Sequence, residues 1–323
     1  MTTDDKQPHI DDGRSSDEAV RAKSISTDPQ GNTIITEENG EVFTISESAE
    51  RALLWKFDLR ILPLLAVMYL FNALDNNAKT GGLEKSLGME GTNQYNILLS
   101  IFFVPYVLAA PFVAILGKIY GPSRVLPCMM FTFGLMTLCT VGVSNFGGLV
   151  TLRVILGAAE SAFFPLVIYY QTQFYRRGEL ARRLAIFYAA SNIAGAFGGL
   201  LAYGVFHIKS GSIPAWKYLF VIEGSLTMAM SVIAFCFLPR SAAKARFLNE
   251  DEKRLAFYRI QVDSSAIVEE KFEFKEAARI LKHWTSWHIL AIEMCLGIPL
   301  QSVTLFLPQI IARLGYSTIK TNL

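Results

Sequence analysis

Charge is scarce in this 323-residue chain: 18% of it is Asp, Glu, Lys or Arg, against 52% hydrophobic residues. A soluble domain carries about 25% charged residues, so an ordinary water-soluble globule is excluded. No basic stretch followed by an apolar core stands at the N-terminus, which argues against a cleaved signal peptide and makes the first apolar span the expected insertion signal. Cysteine is sparse too. Cys128, Cys139, Cys236 and Cys295 all fall in apolar stretches without metal-ligand spacing, and they read as small buried hydrophobes rather than a disulfide framework. The four histidines are equally dispersed. Neither a glycine-rich phosphate loop nor a Ser-His-Asp set occurs, so ATP-driven work and hydrolysis lack support. The expectation is no enzyme, no cofactor, no metal and no nucleic-acid partner.

What the chain does have is length in its apolar runs. A helix rising 1.5 Å per residue crosses a bilayer core in about 20 residues. Seven stretches qualify or nearly do: 61–78, 95–116, 125–143, 149–170, 184–206, 218–238 and 287–311. No even alternation of apolar and polar residues suggests a barrel, so helices are predicted. The reading is an all-α, multi-pass membrane protein in contact with lipid. Residues 1–50 hold twelve acidic and four basic residues with almost no aromatics, which predicts a disordered acidic tail.

Basic residues set the orientation. Lys118 and Arg124 follow the second span, and Arg176, Arg177, Arg182 and Arg183 follow the fourth. Ten more lie between Arg240 and Lys282, whereas 144–148 has none. The N-terminus is therefore predicted to be cytoplasmic. The expected divisions are a tail over 1–50, a six-helix half over 51–238, a cytoplasmic connector over 239–283, and a seventh span within 284–323. Six spans, a charged connector and one more span resemble half of a six-plus-six carrier with its second half cut short.

Specific residues carry a family resemblance. The run Trp55-Lys56-Phe57-Asp58-Leu59-Arg60-Ile61-Leu62-Pro63, the pair Leu74-Asp75 and the segment Ala78-Lys79-Thr80-Gly81-Gly82-Leu83-Glu84 belong to it. So do Tyr95-Asn96, Ile101-Phe102-Phe103, Gly121-Pro122-Ser123-Arg124, Gly157-Ala158-Ala159-Glu160 with Phe163-Phe164-Pro165, and Ile222-Glu223-Gly224. Leu305-Phe306-Leu307-Pro308 and Leu314-Gly315-Tyr316-Ser317 complete it. Over 51–323 the chain resembles the fungal anion:cation symporters of the major facilitator superfamily. That resemblance implies the N-terminal six-helix half of the fold plus its seventh helix. It also implies proton-coupled uptake of a small organic anion, such as nicotinate, allantoate or pantothenate, across a plasma membrane. The alternative is a truncated membrane protein or regulatory fragment that does not transport. The chain departs from the family after Asp75: Asn76, Asn77 and Ala78 stand where a basic residue and its neighbours are usual.

Ionisable residues inside apolar spans are costly, about 2.5–3.5 kcal/mol each at the bilayer centre, and mark pathways or proton relays. Arg153, Gly157 and Glu160 share one helix face at i, i+4 and i+7. Glu160 reads as the proton carrier with Arg153 as its partner, or the two form a static ion pair bracing the bundle. Asp75 is a second protonation site or a solvated helix end. Asn76, Asn77 and Asn192 are candidate hydrogen-bonding contacts for an anion, and Glu293 in the seventh span is a candidate pathway residue. Glu223 reads as an interhelical or capping residue. Gly195 and Gly199 on the fifth span suit close helix packing.

Overall fold

The computed structural model describes residues 22–27, 33–37, 42–72, 94–206, 214–263, 279 and 282–313. The chain divides into two compact units, Met1–Ala52 and Leu53–Leu323.

In the first unit, where the acidic composition suggests a disordered tail, the described residues form a small sheet. β1 (Ala22–Thr27), β2 (Thr33–Glu37) and β3 (Val42–Ile45) form an antiparallel meander in the order β1-β2-β3. Ile35 of β2 lies opposite Ile25 on one side and Phe43 on the other, and a bulge interrupts β1 between Ala22 and Ser24. The acidic count of this segment concealed its β-branched composition: Ile, Val and Thr favour a pleated strand. Pro29, Gly31 and the Asn39-Gly40 pair punctuate the sequence between them.

The membrane part is all helical, as expected. Its helices are α1 (Glu47–Asn72), α2 (Gln94–Tyr120), α3 (Pro122–Thr140), α4 (Phe146–Glu160), α5 (Phe163–Thr172), α6 (Arg177–Phe206), α7 (Ala215–Phe237), α8 (Glu250–Asp263) and α9 (Trp284–Arg313). A single 3-10 turn, Ala242–Lys244, precedes α8. Among the described residues, four helical stretches are long and apolar enough to cross a membrane: Ser100–Tyr120, Pro122–Thr140, Phe146–Thr172 and Trp216–Phe237. The protein is a multi-pass membrane protein.

Local sequence explains the breaks. Between α2 and α3, Gly121 adopts φ 88°, a left-handed conformation open to glycine, and Pro122 starts the next helix where no N–H partner is needed. Asn145 caps α4 by accepting a hydrogen bond from the Gly148 N–H at 2.8 Å. The predicted fourth span is not one helix but two, α4 and α5, parted at Ser161–Ala162. Pro165 accounts for this, since its ring clashes with the carbonyl four residues back, at Ser161. The Ser161 hydroxyl turns to the Ala158 carbonyl at 2.8 Å.

α2 packs along α4, α4 against α3, and α3 along α7. The α3–α7 contact is set by glycine on both sides: a Cβ on Gly224 would sit 3.0 Å from the Gly134 carbonyl, and one on Gly134 3.3 Å from that of Gly224. Buried Glu223 adjoins this contact, in keeping with an interhelical role. Leu98, Leu149, Trp216 and Phe220 form a core cluster where α2, α4 and α7 meet.

The cysteines are a correction. All four are free and exposed on the protein surface rather than buried. In lipid an apolar side chain gains nothing by facing inward, so apolarity alone does not place it in the core.

Candidate functional site

Glu160 closes α4, and the approach of α2 fixes what it meets. A Cβ on Gly157 would collide with the Phe102 carbonyl oxygen and come within 3.2 Å of Pro105 Cγ. Only glycine lets the two backbones touch there. Consecutive spans alternate in direction, so α2 and α4 run parallel. One turn beyond the contact, Tyr106 on α2 and Glu160 on α4 therefore stand at the same level. Glu160, Tyr69 on α1 and Tyr188 on α6 all lie within electrostatic reach of the Tyr106 hydroxyl.

The tyrosines belong to two ring clusters. Tyr69 stacks on buried Phe187 at 4.4 Å between centroids, and Phe164 meets Phe187 at 6.2 Å, also near parallel. Tyr188 stands edge-on to both Tyr69 and Phe164, at 6.5 and 5.2 Å. Phe102 and Phe103 hold the Tyr106 ring from its own helix, at 5.7 and 6.5 Å. Tyr106 thus has three phenol or carboxyl groups within electrostatic reach, from α1, α4 and α6. This can present hydrogen-bond donors and flat apolar faces to a small solute while changing charge at a single point.

Arg153 occupies different surroundings. It lines a narrow crevice with Met136, Thr137 and Thr140 of α3, Leu152 and Leu156 of α4, and Phe220 of α7. The two charges share a helix, about 10 Å apart along its axis, but face different neighbours. Glu293 is exposed on α9. Asp75, Asn76 and Asn77 lie outside the described residues, as does the side chain of Asn192 on α6.

A second charged constellation joins α1 to the first turns of α6. Arg183 grips Asp58 through two parallel hydrogen bonds, Nε to Oδ1 at 2.7 Å and a terminal nitrogen to Oδ2 at 2.8 Å. It also donates to the Glu179 carbonyl at 3.1 Å and covers the Tyr175 ring at 4.3 Å. The fork matches a carboxylate in plane, which a lysine could not do. Burial, the largest single influence, opposes the charge on Arg183, but the hydrogen bonds it donates to Asp58 and the negative charges of Asp58 and Glu179 together raise its pKa. Burial, then the charge on Asp58, push the Tyr175 phenol up.

Residues 239–263 are pinned to this rim. Arg259, fully buried, pairs with Glu179 and donates to the Phe174 carbonyl at 3.3 Å, while Arg176 donates to the Arg259 carbonyl at 3.2 Å. Arg60 donates to the Phe247 carbonyl at 3.4 Å and lies over its ring at 4.6 Å. Tyr170 donates to the Pro239 carbonyl at 2.8 Å. Lys56 bridges Glu252 at 2.5 Å.

The Lys56 hydrogen bond holds the Glu252 carboxyl below the usual carboxylate range, with burial working against it. A carboxyl held low in the folded state adds stability above its ordinary value near 4.3 and surrenders it as pH falls through the folded value. This pair is half-exposed, so its worth is below about 1 kcal/mol. Glu252→Gln in detergent should therefore melt about 1–2 °C lower at pH 7. The difference should vanish near pH 3 in the same thermal-shift measurement.

Residues 62–323 match the family model described as Major Facilitator Superfamily. An uncharacterised transporter of Schizosaccharomyces pombe is 53% identical over 88% of this chain and 56% of its own length. The high-affinity nicotinic acid transporter of Saccharomyces cerevisiae is 31% identical over 86% of this chain and 52% of its own. A bacterial homologue of the human lysosomal transporter Spinster, inward-facing and unoccupied, aligns with a TM-score of 0.49 at 18% identity, covering 61% of this chain and 44% of that one. The chain spans about half the length of the curated relatives it matches.

Proposed function

The chain belongs to the Major Facilitator Superfamily, and from that premise we propose that it serves a carrier that moves a small organic anion together with a proton. The observation that carries the reading is one acidic group, Glu160, set within an apolar span and in electrostatic reach of Tyr106 across the α2–α4 contact. A solute carboxylate about 6 Å from an ionised Glu160 would be repelled by about 3 kcal/mol at an effective dielectric of 20. Protonation removes that repulsion, so anion and proton enter together. Alternating access then exposes both to the other side, where loss of the proton expels the anion. The electrical part of the gradient contributes about 2.3 kcal/mol per charge per 100 mV.

In this reading Arg153 is the coupling partner that favours return of Glu160 to its charged form. Asp75 is a second protonation site, Asn76, Asn77 and Asn192 are amide contacts to the solute, and Glu293 lines the path from the seventh span. The anion:cation symporter resemblance and the 31% identity to a nicotinic acid transporter make an organic carboxylate the preferred cargo. The basic residues gathered after the second, fourth and sixth spans support a cytoplasmic N-terminus, and residence in a plasma membrane follows from the symporter resemblance alone.

The test is uptake of labelled nicotinate, pantothenate and allantoate into vesicles holding the full open reading frame. Accumulation of at least one of them that rises at acid external pH and collapses with a protonophore is expected. Absence of acid-stimulated flux for every carboxylate tried would favour a membrane protein that does not transport.

A further inference from the structure

We propose that Tyr106 is a positioning residue for the proton on Glu160, its phenol donating to the ionised carboxylate and accepting from the protonated acid; this rests on the proton-coupled reading above. Three observations meet at this residue. Gly157 brings α2 and α4 into backbone contact at Phe102. The next turn of each parallel helix then supplies Tyr106 and Glu160 at one height. Pro105, wedged beside Gly157, locks the α2 backbone immediately before Tyr106, and the Phe102 and Phe103 rings hold its side chain.

Tyr106 has company: Glu160 from α4, Tyr69 from α1 and Tyr188 from α6 lie within electrostatic reach of it, and Arg153 lies two turns back on α4. Tyr69 and Tyr188 arrive from helices joined to each other through Phe187 and Phe164. Tyr106 alone is tied to the Glu160 helix by the glycine contact. The proton step is simple. Water on the open side gives a proton to a Glu160 oxygen, forming an O–H bond, and the hydrogen bond with Tyr106 reverses its direction. On release that O–H bond breaks, the proton returns to water, and Tyr106 keeps its own hydrogen throughout.

The experiment compares unmodified full-length carrier, Tyr106→Phe, Glu160→Gln and the double variant in vesicles, with Tyr120→Phe as a control at the exposed end of α2. Tyr106→Phe keeps the ring and removes both a donor to the ionised acid and an acceptor from the protonated one; the charge-assisted bond is the stronger, so its loss decides the sign. The pH of half-maximal uptake should move about one unit towards alkaline, a tenfold change in proton affinity. KM for the anion at saturating acid should stay within about twofold, and the double variant should behave as Glu160→Gln alone. Incorporating 3-fluorotyrosine at position 106 strengthens the donor without altering shape and should move the midpoint towards acid. It also covers the case in which Tyr106→Phe fails to fold. A midpoint unmoved by either change overturns the role of Tyr106 while leaving proton coupling intact. Uptake by the unmodified carrier that ignores pH overturns both.

Discussion

Glu160→Gln in the full open reading frame is expected to cut acid-stimulated uptake at least about 100-fold, the lower end of what a proton-transferring group contributes. The amide keeps the size and most hydrogen bonds of the acid but cannot change charge. Folding and surface delivery should survive, because Gln is the neutral form frozen in place. Solute exchange at equal pH on both sides should persist, since exchange needs no proton release. The opposite pattern would point to a brace: reduced thermal stability, with the pH dependence of uptake intact. Measuring net uptake and exchange side by side separates the two.

The second large effect concerns the Arg183–Asp58 pair. Arg183→Ala should lower stability by about 2–3 kcal/mol, and the melting temperature in detergent by roughly 5–10 °C. Removing the guanidinium strands Asp58 next to the buried Tyr175 phenol, deprives the Glu179 carbonyl of a donor, and uncovers an aromatic face. A fully buried pair would lose about 3–5 kcal/mol; Asp58 keeps 30% of its side chain exposed, which reduces the penalty. Asp58→Asn combined with Arg183→Gln should recover part of the loss, because no lone charge is left behind. A single variant melting within about 1 °C of the parent would show that the pair carries no structural weight.

These expectations were unevenly legible in the chain. Apolar length marked α2, α3 and α7 directly, because a bilayer demands it regardless of context. The split of the fourth span was hidden: hydropathy runs on through Ser161 and Ala162, and Pro165 is apolar like its neighbours. The β-meander was concealed by acidity, which outweighed the Ile, Val and Thr content of 22–45. Glu160 could be picked out as a charge where charge is costly. Its tyrosines could not, since an aromatic within an apolar run looks like bulk until neighbouring helices are placed. The same holds for Asp58 and Arg183, 125 residues apart. Gly157 was visible as part of a helix face, but only the collision with the Phe102 carbonyl shows why no larger residue fits.

Arg259 gives the charged rim a mechanical character. A guanidinium with no solvent exposure, tied to Glu179 and to the Phe174 carbonyl, resists sliding in more than one direction. Movement of α8 is therefore coupled to the first turn of α6 through these bonds. That helix carries Phe187 and Tyr188 one turn above Arg183, so the connector and the ring cluster share a single helical support.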